Sequence, residues 1–346
     1  MNTRQYLPIT EQWQKVLITI FILLLLWAVR DVLVLLLLAL TIAAAVSPLV
    51  NTLVRWHWRR ALAVVFIYFI LLLIIVLFLF LVIPSVAAQL REIAAQIPAI
   101  YNRFLGLFHS LEQLLEKSRL IESPEQFLNQ INESLLGSAS SLLFSTFTLM
   151  KVIASLVVVL VISFYLVASE NAFEEFWRAV VPLRYEEYVS NLWQRVNKKI
   201  GRWLQGQLLL GLIVGVMTYL GLKIFSMHFT FTLALIAGIF ELVPFVGPII
   251  SAVPAVILGF AHSTSLGLMM ILLYLAIQQL ENHLIVPLVT NKLVGLNPVI
   301  VILALIAGGS LAGFVGVLVA VPVTVIITEI FNDFAARKQV DKSLAA

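Results

Sequence analysis

His228–Phe260 reads HFTFTLALIAGIFELVPFVGPIISAVPAVILGF, and part of it returns about seventy residues later. Leu233-Ala234-Leu235-Ile236-Ala237-Gly238 recurs as Leu303-Ala304-Leu305-Ile306-Ala307-Gly308, Phe245-Val246-Gly247 as Phe314-Val315-Gly316, and Ala252-Val253-Pro254 as Ala320-Val321-Pro322. The three offsets are 70, 69 and 68, in the same order along the chain, which marks an internal repeat rather than a shared apolar alphabet. Each copy is too long for one straight span. As a helix the first would measure about 50 Å against a hydrocarbon core of about 30 Å. It also carries its own break, because Pro244, Gly247 and Pro248 sit near its middle and proline removes a backbone donor. In the second copy Gly308, Gly309, Ser310, Gly313 and Gly316 fall at the corresponding place. Broken backbone at membrane depth survives only where protein or a watery cavity satisfies it. Each copy is therefore expected to be a helical hairpin, and Pro244 and Gly313 to approach one another. Two unbroken rods facing lipid would contradict this reading.

The rest of the chain agrees with a membrane setting. Of 346 residues, 62% are hydrophobic and 12% charged, outside the range of soluble domains. There is no cysteine, so disulfides and thiol chemistry are excluded, and the net charge of +4 does not point to nucleic acid. The expected fold class is all-α, a polytopic membrane protein whose two re-entrant or broken hairpins form an inverted repeat beside a small external helical domain.

In order, residues 1–83 hold the first spans. Apolar runs at Val16–Val29 and Val32–Val50 meet at Arg30-Asp31, where a tight turn is expected, and a third runs from Ala61 to Ile83. The loop between them carries Arg55, Arg59 and Arg60 without an acid, flanked by Trp56 and Trp58, which places it in the cytoplasm and, through two crossings, the N-terminus with it. Residues 84–150 are ordinary in composition and acidic, the expected external insert; Ser123-Pro124-Glu125-Gln126 reads there as a helix start. A fourth span fills 151–169. Residues 170–203 place Tyr188, Leu192, Trp193, Val196 and Ile200 on one helical stripe flanked by Arg195, Lys198, Lys199 and Arg202, a helix in the headgroup plane or packed under the bundle. The transport core is read as 204–328, with hairpins at 228–260 and 298–328; Gly211 and Gly215 there allow close helix contact. Residues 329–346 form a polar cytoplasmic tail.

From Trp203 to Thr328 the charges are Lys223, Glu241, Glu281 and Lys292. An ionisable group in such a stretch is costly and should face a cavity or a partner. Glu241, three residues before Pro244, reads either as a proton carrier or cation ligand, or as a passive cap of the broken helix. Gln278, Glu281 and Asn282 share a helix face, and Glu281 and Lys292 are placed to pair across the turn containing Pro287; the alternative is that they only mark the interface. Phe245, between Pro244 and Gly247, belongs to the same bend. Histidines are scattered, so no metal site is expected. G-x-S-x-G, H-E-x-x-H and a phosphate-cradling loop are absent, which argues against an intramembrane hydrolase and against direct use of ATP, and no enzymatic role is expected. No cofactor is expected.

ELVPFVGPIISAVPAV at Glu241–Val256, followed by QQLENHLIVPLVTNKLVGLNPVIVILALIAGGSLAGFVGVLVAVP at Gln278–Pro322, resembles the autoinducer-2 exporter family of bacterial membrane proteins. The match is specific between Gly201 and Thr328, while the N-terminal half agrees in layout. The resemblance implies a homo-oligomeric, pentameric inner-membrane protein with paired re-entrant hairpins and an elevator-like movement. It also implies export of a small polar quorum signal or, in some members, sodium/proton exchange. It carries over Glu241, Pro244, Gly247, Pro248, Glu281, Asn282, Pro287, Gly295, Pro298 and Pro322. Phe229-Thr230-Phe231 departs from the Gly- or Pro-containing lead of relatives, so substrate identity is not transferred. The expected function is a multi-pass secondary transporter with both termini cytoplasmic, exporting a small polar solute on a proton or sodium gradient. A cation/proton antiporter without organic substrate and a non-transporting scaffold are the rivals.

Overall fold

The computed structural model describes residues 17–21, 24–25, 27–81, 84–85, 88, 146–169, 175, 179, 181–290 and 297–344, and every regular element among them is helical. These elements are α1 (Arg30–Arg55), α2 (Arg60–Leu81), α3 (Thr146–Ala168), α4 (Leu183–Ile224), α5 (Thr230–Phe240), α6 (Val246–His262), α7 (Thr264–Leu280), a π-helical turn (Glu281–Ile285), α8 (Val286–Thr290) and α9 (Pro298–Leu344). Among the described residues six helices are long and apolar enough to cross a membrane, and α5 and α6 are shorter. The chain is an all-α polytopic membrane protein. Most of the external insert, the Ser123 helix start, Lys292 and Gly295 lie outside the described residues.

The outer face of α2 stays exposed at Phe69, Leu73, Leu77 and Phe80, as a helix facing lipid should. Its other face meets α3 through a buried hydrogen bond of 2.5 Å between Tyr68 and Ser163 and an edge-on contact of Tyr68 with Phe164. Arg60 donates to the carbonyl of Val167 from Nε and Nη2, satisfying one of the free carbonyls at the end of α3.

Two boundaries differ from expectation. No reversal forms at Arg30-Asp31. Val29 donates to Leu25 O and Leu33 to Val29 O, both at 3.0 Å, so helical bonding carries through the joint. A charged pair alone does not turn a helix; glycine or proline would. The two crossings that put the N-terminus in the cytoplasm rested on that reversal. Nor does the amphipathic stripe form a separate interfacial helix from Leu183 onward. From there it runs without a break into the next span as the 42-residue α4, about 63 Å long.

The polar first half of α4 therefore projects beyond the apolar layer, where the second half of α9 accompanies it. Arg195 and Lys199 pair there with Asp333 and Glu329 at 2.6 and 2.5 Å, and Arg337 lies over the Tyr188 ring. The polar tail is thus the continuation of a helix, not a separate segment.

Both repeat copies are hairpins. In the first, α5 and α6 flank a non-helical stretch at 241–245 and pack face to face, Leu233 with Ala255 and Leu258. The His228 and His262 rings stack 5.4 Å apart, so the hairpin starts and ends at one place. In the second, α9 reverses at Ala312 and Gly313, whose backbone angles are not helical; Gly313 has φ +59°, open to glycine at little cost. The arms on either side then lie back to back. A Cβ on Gly308 would stand 2.4 Å from the carbonyl oxygen of Gly316 and 3.3 Å from Ala320, residues that a straight helix would hold well over 10 Å away. The reversal falls at Ala312-Gly313; Gly308, Gly309 and Gly316 are instead helical residues, two of which permit the close approach of the arms.

Candidate functional site

The two hairpin tips meet. Phe240, the last residue of α5, has its ring centroid 6.4 Å from that of Phe314, which follows Gly313. Val243, in the break of the first hairpin, is buried in one cluster with Trp203 of α4 and with Val301, Leu305, Ala320 and Val321 from both arms of the second. The contacts between the two breaks are made by residues beside Pro244 and Gly313.

The break itself is a strained turn. Phe245 sits at φ 66°, ψ −45°, with Val246 donating to Pro244 O at 2.8 Å, the three-residue turn that side chains other than glycine rarely adopt. Phe245 is half-exposed. Gly247 lies directly beneath the carbonyl of Phe240, where no side chain would fit. Pro248 is in the first turn of α6, a place where a missing N–H costs nothing.

Glu241 ends α5 and is 2% exposed. Its backbone carbonyl accepts from Gln207 Nε2 of α4. Its side chain meets the carboxyl of Glu281 within hydrogen-bonding reach, while its Oε2 is buried without a hydrogen-bond partner. The capping of the broken end is thus done by Gln207, and the carboxyl of Glu241 is left for Glu281. The approach depends on close helix packing: Gly211 of α4 and Gly238 of α5 meet backbone to backbone, and Gly211 lies 3.6 Å from the Cβ of Glu241, measured from the Cβ it lacks. Gly238 and Gly308, equivalent in the repeat, both sit at such contacts.

Glu281 is 6% exposed and opens the π-helical turn, where Val286 donates to the carbonyl of Glu281. Pro287 cannot donate to the preceding turn, and a widened turn ahead of it relieves the clash. Gln278 Nε2 donates to Glu281 Oε2 at 3.2 Å and lies 3.4 Å from Asn282 Oδ1. Glu281 thus has partners in Gln278, one turn back on its own helix, and in Glu241 of the first hairpin; Lys292, expected to pair with it across the Pro287 turn, lies outside the described residues. Asn282 and Ser310 are exposed, Ser310 with its hydroxyl on Ala307 O. Gly309 and Gly316 belong to the packed arms of the second hairpin. Two carboxyls joined by a hydrogen bond need a proton on one of them, and removing or adding that proton changes the charge of a buried site by one.

Sequence reasoning missed Gln207, which sits in an apolar helix and gains meaning only from the carbonyl it reaches. It also missed Phe240, one apolar residue among many.

A family model described as AI-2E family transporter matches residues 16–336. The chain belongs to this family. YueF of Bacillus subtilis (strain 168), named as a candidate transport protein, is 27% identical over 259 residues, 72% of this chain and 69% of YueF. PerM of Escherichia coli (strain K12), named as a candidate permease, is 25% identical over 255 residues, 72% of this chain and 68% of PerM. YhhT of the same strain, also named as a candidate transport protein, is 25% identical over 298 residues, 86% of this chain and 83% of YhhT. The AI-2E assignment makes this chain a member of a transporter family and not an enzyme, in line with the missing hydrolase and nucleotide motifs. Lipid and a transported solute come with that assignment.

Proposed function

We propose that this AI-2E chain is a secondary transporter of the bacterial plasma membrane that exports a small polar solute on a proton or sodium gradient, with Glu241 as the coupling group. The observation that carries this reading is the buried Glu241–Glu281 pair at the meeting point of two broken hairpins. A carboxyl pair that shares one proton carries one negative charge, which a second proton or a sodium ion would neutralise. The breaks interrupt the regular helix ladder, and broken helix ends of this kind are where backbone amides and carbonyls can meet a polar solute.

With the Arg55–Arg60 loop in the cytoplasm, the hairpin at 228–260 enters from outside and the one at 298–328 from inside, both re-entrant. The C-terminus is then cytoplasmic. This inverted arrangement supports alternating access, elevator-like in a homo-oligomer for which a pentamer is our reading. The exposed apolar faces of α2 and α3 are open to lipid or to such neighbours.

The test uses the full chain in proteoliposomes, reading proton movement with an internal pH dye under an imposed sodium gradient, with and without a panel of small polar solutes. Glu241→Gln should reduce coupled flux at least about tenfold, as loss of an essential proton-transfer group does, while the oligomer elutes unchanged. Sodium-dependent proton movement indifferent to every solute favours the antiporter. Unaltered flux with altered assembly favours the scaffold.

A further inference from the structure

Two hydroxyls on the seam between α4 and α7 have no role in the site described above. Thr218 Oγ1 and the Tyr274 hydroxyl are buried without a hydrogen-bond partner; with Glu241 Oε2 they are the buried side-chain oxygens left in that state among the described residues. A buried threonine in a helix normally donates to the carbonyl four residues back, as Thr41 and Thr324 do here. Thr218, fully buried, does not.

The two stand at the same level. Val214 packs with Ile277 in one cluster, and Gly221 lies against Leu273, where a Cβ would come within 2.5 Å. The helices are therefore antiparallel, and that register sets Thr218 opposite Tyr274. Carried the other way, it sets Gly211, which touches Glu241, opposite Glu281. Tyr274 and Glu281 are seven residues apart on one face of α7, about 10 Å, with Gln278 between them. Beyond Tyr274 the seam is closed by Leu222, Met227, Leu258 and Met270, and the stacked His228–His262 pair lies past that plug. Lys223 does not reach the seam's hydroxyls with its charge; its ammonium lies over the Tyr219 ring at 5.6 Å.

We infer that Thr218 and Tyr274 hold a water molecule in the α4/α7 seam, through which protons reach the Glu241–Glu281 pair from the side of the first hairpin's base when the apolar plug there parts. Buried polar atoms that lack protein partners are the usual holders of internal water, which needs two or more such groups. Each transfer is a relay: the water accepts a proton on its lone pair and releases one of its own toward the carboxyl side, ending neutral. Gln278 and Glu281 continue the polar file to Glu241.

This inference rests on the proton-coupled reading, and the experiment separates the two. In proteoliposomes, Tyr274→Phe and Thr218→Val are expected to cut proton flux about tenfold or more, with the folded protein retained in detergent, because each replacement nearly keeps the side chain's volume and the water can leave with its partner. Thr218→Ser, which keeps the hydroxyl, should retain flux. Full flux in Tyr274→Phe and Thr218→Val, in a protein that Glu241→Gln still silences, overturns the relay and leaves the proposed function standing. Equal loss in Thr218→Ser and Thr218→Val also overturns it. A wild type that moves no protons removes both.

Discussion

Phe240 and Phe314 face each other at 6.4 Å across the gap between two hairpins whose sequences repeat. Their contact joins the tip of one copy to the tip of the other, so any movement of one hairpin past the other must break it. The protein has no cysteine, so a pair introduced at these positions reacts alone. Phe240→Cys with Phe314→Cys, bridged by a short bifunctional methanethiosulfonate, should stop flux in proteoliposomes, and reduction should restore it. Full activity of the bridged protein would mean the tips do not separate during turnover.

Gln207 holds the carbonyl at the end of the broken α5. Gln207→Leu leaves that buried carbonyl unpaired, at a cost of about 1–3 kcal/mol. A lowered melting temperature together with reduced flux is expected. A stability loss with normal flux would separate capping from transport.

Closure of the second hairpin depends on two residues without side chains. Gly308→Val and Gly316→Val each place atoms where the opposite backbone already lies, and overpacking of this kind costs about 1–3 kcal/mol or more. Limited proteolysis should cut such variants between residues 308 and 316 faster than the parent. Resistance equal to the parent would count against the back-to-back arms.

At Phe245 the strained turn predicts the opposite sign. Phe245→Gly should raise stability by about 1 kcal/mol, since a positive φ is unfavourable for phenylalanine and not for glycine. Thermal unfolding in detergent reads this directly; Phe245→Val, β-branched at the same angles, should fall below the parent.

Glu329 is nearly buried, yet carries Lys199 at 2.5 Å and Arg195 at 3.5 Å. Lys199→Ala should destabilise the α4–α9 pairing more than Glu329→Gln does, because it leaves a nearly buried carboxylate with Arg195 alone at 3.5 Å, whereas the bases left behind by the second change are partly solvated. With the bases partly exposed, the Glu329→Gln effect is about 1 kcal/mol or less, and both differences should shrink at high salt.

How much of this was legible in the residues follows from what kind of force set each feature. The membrane class, the hairpins and their order come from local causes: apolar length against bilayer thickness, and proline or glycine where a helix must stop. The offsets between repeat copies located the second hairpin, although its reversal settled at Ala312-Gly313 rather than at the neighbouring glycines. Arg30-Asp31 misled because charge was taken for a turn signal when no residue there disfavours helix. The stripe at 170–203 was correctly amphipathic, but whether such a helix bends into the interface or runs straight depends on a partner, and the partner was the end of α9.

Glu241 and Glu281 stand out in the sequence as lone acids in apolar runs. That they meet each other is a tertiary fact, made by the Gly211–Gly238 crossing, which lets α4 and α5 approach until the carboxyls on α5 and beyond α7 touch. Gln207, Thr218 and Tyr274 are unremarkable letters until packing removes water from them. Burial and partnership are properties of distances between segments far apart in the chain, so composition and periodicity determined where this protein lives and where it bends, while the packing of its helices decided which polar atoms stand together.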